Sequence, residues 1–230
     1  MTSCAARAIE SADLVVGYEK YVELVKSLVA GKECFKNGMM GERERCLYAL
    51  EQAALGKTVS LICSGDSGVY GMASLVLELG SDDDGVSVEI VPGVTAALSG
   101  AALLGSPLTG DFCVVSLSNL LTPQDKIERR LRAAVAGDFS IALYNPRSRN
   151  RPDTLRRAVS ILRETLPDDT PAGWVRNVAR EGEERCICSL SELGEAELDM
   201  FCTAFVGNSQ TKIVERGGKK WLVTSRGYQL

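Results

Sequence analysis

The first half of the chain alternates short apolar runs with stretches whose apolar residues recur at helical spacing. Leu14 to Tyr18, Thr58 to Cys63 and Val86 to Val91 have the length and composition of strands. Ala5 to Ala12, Gly41 to Leu55, Met72 to Leu79 and the alanine-rich Thr95 to Leu104 carry a helical period, and Glu42, Glu44 and Arg45 mark the polar face of the second. Such alternation predicts a parallel sheet joined by crossover helices. The pattern breaks at Gly105-Ser106-Pro107-Leu108-Thr109-Gly110, where two glycines and a proline predict a linker. It resumes with strands over Cys113 to Leu117, Phe139 to Tyr144 and Trp174 to Asn177, and with helices over Pro123 to Val135 and Thr154 to Leu166. The remainder is richer in strand: Arg185 to Ser189, Met200 to Val206, then Lys212 to Val214 and Trp221 to Thr224, which Gly217-Gly218 folds into an antiparallel hairpin. The expected fold is α/β in two domains, 1–108 with a parallel sheet and 109–230 with a mixed sheet. Asp82-Asp83-Asp84 reads as a solvated turn.

Composition narrows the classes. In 230 residues, 45% are apolar and 24% charged, the balance of a soluble globular protein. No apolar run approaches the ~20 residues that span a bilayer, and no signal peptide is visible. A net charge of -4 gives bulk electrostatics no pull toward nucleic acid. Most of the eight cysteines lie in apolar runs, where a reduced thiol packs as a small hydrophobe. Cys186 and Cys188, two apart in an expected strand, point the same way. The chain has no histidine and no second cysteine pair at finger spacing, so no metal site is expected. A reducing, cytoplasmic setting follows.

Candidate chemistry gathers where strands end. The run to Cys63 stops at Ser64-Gly65-Asp66-Ser67-Gly68 and a helix follows Gly71. A glycine-rich turn between strand and helix presents bare backbone N–H groups at the strand's carboxyl end, where open α/β sheets bind ligands. Its spacing fits neither the phosphate-binding loop nor the dinucleotide fingerprint. Gly65-Asp66-Ser67-Gly68 resembles the serine loop of trypsin-like proteases, but without histidine no Ser-His-Asp triad can be assembled. Val91-Pro92-Gly93-Val94-Thr95-Ala96-Ala97 is a second such turn, in which Thr95 can cap the helix; a well-capped helix alone explains it equally. Leu143-Tyr144-Asn145-Pro146 is a third, and Gly207-Asn208-Ser209 a fourth. Residues 147–163 hold six arginines and one acid, Asp153. A solvated helix face is the usual fate of such a run, but Arg147, Arg149 and Arg151 precede the helix, where a polyanion can meet them.

Ser64 to Gly71, Val91 to Ala97, Leu143 to Pro146 and Gly207-Asn208-Ser209 occur in the order seen in the tetrapyrrole (corrin/porphyrin) methylases, which the whole chain resembles. Val16-Gly17-Tyr18 with Tyr21, the phrase Ser116-Leu117-Ser118-Asn119-Leu120-Leu121-Thr122-Pro123 and the ending Thr224-Ser225-Arg226-Gly227-Tyr228 resemble the precorrin-3B C(17)-methyltransferases among them. The resemblance implies a two-domain fold that binds S-adenosylmethionine in a cleft between domains. It implies methyl transfer to C-17 of a corrin precursor, with ring contraction, on the route to vitamin B12. It places Ser64, Gly65, Asp66 and Val69 along the methionine part of the cofactor, Thr95 and Ala96 in contact with it, and Asn145 and Val178 near its adenine. Ser116 and Ser118, with Arg147, Arg149 and Arg151, are expected at the polycarboxylate substrate. It also implies a homodimer. No proton-moving residue is identified; carboxylates, tyrosines, thiols and the substrate's own acid groups are the candidates.

Three departures accompany the resemblance. The chain opens where the family's first helix begins, so a first strand with a Gly-x-Gly-Pro-Gly loop is expected to be missing. Gly110 precedes Asp111 where the family often has histidine, and Asn119 stands where aspartate is usual. Methylation at another carbon, or a truncated non-catalytic relative, stay open as alternatives.

Overall fold

A computed structural model describes residues 1–81, 83, 85–148 and 150–228. The chain divides into two compact units, Met1–Thr95 and Ala96–Leu230.

The first unit runs α1 (Ser3–Ser11), β1 (Leu14–Tyr18), α2 (Glu19–Leu24), β2 (Glu33–Asn37), α3 (Glu42–Ala54), β3 (Val59–Ile62) and α4 (Ala73–Leu79). Its sheet has the order β2-β1-β3, and both pairings are parallel. Leu14, Val15 and Val16 of the central strand are wholly buried. Val15 packs with Ile9, Val22 and Ile62, whereas Leu14 and Val16 pack with Ala49 and Leu61. Cover on both faces is why the strand reads as an unbroken apolar run. β2 escaped the sequence reading: Glu33, Cys34, Phe35, Lys36 and Asn37 carry too few apolar residues for an edge strand to be heard. The strand expected over Val86 to Val91 does not form. Val88 and Ile90 stay 39% and 44% exposed, and strand propensity makes a ladder only where a partner edge is available. Of the acidic run, Asp82 and Asp84 lie outside the described residues, and Asp83 is in a turn.

The second unit runs α5 (Ala96–Leu104), β4 (Gly105–Ser106), β5 (Phe112–Ser116), α6 (Gln124–Ala136), β6 (Ser140–Tyr144), α7 (Thr154–Leu162), β7 (Pro171–Arg176), β8 (Glu184–Ser189), α8 (Leu190–Glu195), β9 (Cys202–Val206), β10 (Thr211–Arg216) and β11 (Lys219–Thr224). The main sheet is mixed, with order β5-β6-β9-β7-β8; β5 and β6 are parallel and the other pairings antiparallel. The expected hairpin is β10-β11, and β4 joins its side in parallel. The predicted linker therefore opens with a short strand: Gly105 pairs with Leu222 at a φ of 132°, a conformation that glycine alone takes without strain. The sequence boundary and the observed division differ in where they place α5. Its Ala97, Ala101 and Leu104 share a core with Val175, Phe205 and Leu222 of the second unit.

Strand direction orders the loops. β6 and β7 both run antiparallel to β9, so β5, β6 and β7 end on one edge of the main sheet, and β8 and β9 end on the other. In the first unit, all three strands end on a single edge.

Candidate functional site

In the first unit, the loop after β3 is built around Asp66. Its Oδ1 accepts the N–H of Gly68 at 2.9 Å and of Val69 at 3.2 Å, an Asx turn, while its Oδ2 accepts the N–H of Gly93 at 2.8 Å. Those donors, Gly93 first, hold the Asp66 carboxyl below the usual carboxylate range. The Ser67 hydroxyl adds a bond to the Val91 carbonyl at 3.0 Å. The turns Ser64–Gly68 and Val91–Thr95 are thus one fitted pair. The fit is tight enough that a Cβ on Gly93 would lie 1.9 Å from the Gly65 carbonyl oxygen. The sequence singled out both turns but not their union. Gly93 and Ser67 were missed as partners, since nothing in the spacing says that two loops 27 residues apart share one carboxylate.

The Asp66 side chain is spent on backbone N–H groups inside the protein, and Gly65 and Gly68 of the loop are exposed. Cys63, just before it, accepts the Met72 N–H at 3.4 Å, and burial pushes its thiol up, keeping it protonated at neutral pH. Asp66 stays ionised there and Cys63 stays neutral. Neither is poised to exchange a proton near pH 7.

In the second unit the structure gathers the predicted residues more fully. Ser116 ends β5 opposite Tyr144, which ends β6. Asn145 follows with a φ of 55° and donates from Nδ2 to the Ser116 Oγ at 2.9 Å. Two residues on, Ser118 Oγ accepts from Arg151 Nη1 at 2.8 Å, while Arg151 Nε donates to Ser148 Oγ at 3.0 Å. Ser116, Ser118, Asn145 and Arg151 form one network at the carboxyl ends of β5 and β6. Tyr144, named in the sequence only as part of its turn, accepts the Ala97 N–H at its hydroxyl at 2.7 Å. That bond ties the first turn of α5, which begins at Ala96, to the end of β6. Val178 follows β7 on the same sheet edge and packs against the core that holds Ala97 and Tyr144. The left-handed Asn177 and Ala179 shape its turn.

The arginine run splits in two. On α7 and after it, Arg156, Arg157 and Arg163 pair with Asp153 and Glu195, with Glu128, and with Asp168. Among the described residues, Arg147 and Arg151 form no ion pair. Arg149 lies outside the described residues. Gly207-Asn208-Ser209 follows β9 and so sits on the opposite edge. There Ser209 donates twice to the Asp138 carboxylate and Asn208 donates to the Asp138 carbonyl, which makes this turn a structural clasp. A shallow depression of about 480 Å³, lined by Thr109, Asp111, Gln210 and Arg226, lies at that same far edge and takes in none of the predicted residues.

Among the described residues, no cluster of metal-ligating side chains is present and no helix is long and apolar enough to cross a membrane. Residues 1–194 match the family model described as Tetrapyrrole (Corrin/Porphyrin) Methylases. The chain is 45% identical, over all of its length and 94% of the relative's, to a probable cobalt-factor III C(17)-methyltransferase of Salmonella typhimurium. It is 38% identical to a precorrin-3B C(17)-methyltransferase of a Sinorhizobium species, covering 99% of this chain and 91% of that one. The crystal structure of the methyltransferase CobJ superposes with a TM-score of 0.89 at 35% identity, over 98% of this chain and 93% of that one. With that agreement of sequence and fold, the chain belongs to the tetrapyrrole (corrin/porphyrin) methylases.

Proposed function

We propose that the protein is an S-adenosylmethionine-dependent C-methyltransferase. It methylates C-17 of a corrin precursor, cobalt-factor III or precorrin-3B, with ring contraction, in cobalamin biosynthesis. The observation that carries this reading is the match, over 99–100% of this sequence, to relatives named for that reaction. When bound, the cofactor supplies an electrophilic methyl on a sulfonium, so the protein's contribution is chiefly positioning. The loop Ser64-Gly65-Asp66 with Val69, and Thr95, would hold the cofactor from the first unit. Asp66 acts there by fixing the backbone and not by direct contact. Ala96, Asn145 and Val178 are the cofactor residues proposed in the second unit, where Tyr144 holds the Ala97 N–H and Asn145 donates to Ser116. Ser116 and Ser118 with Arg147, Arg149 and Arg151 would meet the substrate's carboxylates. Support comes from Arg147 and Arg151 having no acidic partner among the described residues, since guanidinium and carboxylate pair through parallel hydrogen bonds.

The test is incubation of the purified protein with cobalt-factor III or precorrin-3B and S-adenosylmethionine carrying a labelled methyl. The expected product is heavier by one methyl group, and carbon NMR places the label on C-17. Label at another carbon would assign a different regiochemistry; no transfer would leave a non-catalytic relative. We also propose a cytoplasmic homodimer. Exposed Leu77, Ile90 and Val94 of the first unit support an apolar contact, and the cysteine-rich, disulfide-free composition suits a reducing compartment. A monomer of 24.7 kDa in sedimentation at micromolar concentration would contradict the dimer.

A further inference from the structure

The loop Asn37-Gly38-Met39-Met40-Gly41, between β2 and α3, combines a fixed base with an apolar tip. Arg45 of α3 is 3% exposed and donates from Nη1 to the Gly38 carbonyl at 3.0 Å and to Asn37 Oδ1. Its Nε is buried without a hydrogen-bond partner. Asn37 Nδ2 in turn donates to Glu44 Oε2 at 2.8 Å and to the Gly41 carbonyl at 3.3 Å. The buried guanidinium also pairs through Nη2 with Glu42 Oε1 at 3.4 Å, so its charge is compensated while it holds the loop base. What it holds is a turn that exposes Met39 by 54% and Met40 by 80%, with Met40 at a φ of 65°. A non-glycine residue in the left-handed region, carrying an apolar side chain into solvent, is the kind of local strain that collects at ligand sites.

The sheet direction says what lies beside it. Met39 and Met40 follow β2, Tyr18 ends β1 and Tyr21 follows it, their rings edge to face at 5.1 Å, and the Ser64–Gly71 loop follows β3, with Tyr70 55% exposed at a φ of 54°. All three strand ends share one edge in the order β2-β1-β3, so the methionines and the β3 loop are two strand spacings apart, about 10 Å. That is comparable to the width of a tetrapyrrole ring system. We infer that Met39 and Met40 form an apolar platform for one face of the tetrapyrrole macrocycle and help select it. This rests on the reading proposed above. Methionine suits the role because its unbranched, polarizable side chain adapts to a flat, puckered π-surface.

The experiment is an absorbance titration of the protein with cobalt-factor III, comparing wild type with Met39→Ser/Met40→Gly. Glycine at 40 keeps the left-handed backbone, so the variant removes apolar surface and leaves the loop's shape. Affinity for cobalt-factor III should fall by about tenfold or more, with S-adenosylhomocysteine binding and thermal midpoint unchanged. Met39→Leu, which keeps the apolar surface, should bind as wild type does. In turnover the double variant should show a raised KM with kcat retained. Equal affinities for wild type and the double variant would overturn the platform. If wild type binds more tightly than the variant but transfers no methyl group, the platform stands and the proposed reaction falls; if wild type binds no tetrapyrrole, both fall.

Discussion

The strand-end loops of the two units are held by opposite chemistry. In the first, a single ionised carboxylate, Asp66, gathers three backbone N–H groups from two turns. In the second, hydroxyls, an amide and a guanidinium connect Ser116, Asn145, Ser118 and Arg151, and no carboxylate takes part. One loop pair consumes its charge internally and presents neutral backbone. The other keeps its cations, Arg147 and Arg151, without acidic partners among the described residues. The difference matches the two tasks proposed above: shaping a close-fitting backbone surface, and meeting a polyanion.

The largest expected effect tests the first unit's fit. In Gly93→Ala, the new Cβ would lie 1.9 Å from the Gly65 oxygen and 2.9 Å from the Asp66 Cα, both backbone atoms that cannot swing aside. Overpacking of this kind costs about 1–3 kcal/mol or more. The thermal midpoint should drop, and S-adenosylhomocysteine binding by calorimetry should weaken beyond tenfold. The matched control in the second unit is Gly110→Ala, whose nearest neighbour would be the Thr224 methyl at 3.7 Å; it should be nearly neutral. If both variants behave alike, the first unit's loops are not fitted as described.

The next effect tests the second unit's charge. Arg147→Ala/Arg151→Ala should weaken tetrapyrrole binding by about tenfold or more, because charge-assisted bonds contribute roughly 1.5–3 kcal/mol each. Cofactor binding should be nearly unchanged. Equal tetrapyrrole affinities in an absorbance titration would return these arginines to the solvent.

The same contrast explains what was legible in the sequence. Strands buried on both faces, such as Leu14 to Tyr18, announce themselves as apolar runs, and glycine-rich ends such as Ser64 to Gly68 announce their turns. Asn145, Ser116, Ser118 and Arg151 were each singled out, and the structure joins them because β5 and β6 are parallel neighbours. What stayed hidden depends on pairing across space. β2 is an edge strand without an apolar signature, and Val86 to Val91 has the signature without the ladder. The two-residue pairing of Gly105 and Ser106 with Leu222 and Val223 turned the start of a linker into a strand. The outward turn Gly207-Asn208-Ser209 looked like a fourth ligand loop until the antiparallel direction of β9 put it on the far edge, clasping Asp138.

Asn145 sharpens the comparison on the side of backbone shape. Its φ of 55° is tolerated by asparagine and preferred by glycine, but costs alanine about 1–2 kcal/mol. Asn145→Ala should therefore lower stability to urea by about that amount, plus the lost bond to Ser116. Asn145→Gly should lose only the bond, about 0.5–1.5 kcal/mol. If alanine and glycine destabilise equally, the left-handed turn is not what holds the end of β6.

The smallest effect is the most diagnostic, because only the first unit's network contains an acid. The Asp66 carboxyl is held low chiefly by the Gly93 N–H and then by that of Gly68. A folded-state pKa below the unfolded value of about 3.9 means that the contribution is fully present above that pH and is lost as pH falls through the folded value. Asp66→Asn removes the titration and half the acceptors: the amide oxygen can satisfy Gly93 or the Gly68–Val69 pair, and its NH₂ faces a donor at the other. Urea unfolding of wild type and Asp66→Asn should differ most near neutral pH, and the gap should close below about pH 4. Asp138, held low by Ser209 on the other unit, is common to both proteins and cancels in the difference. A gap that stays constant from neutral pH down to about pH 3 would mean that the ionised carboxylate does not hold the two turns together.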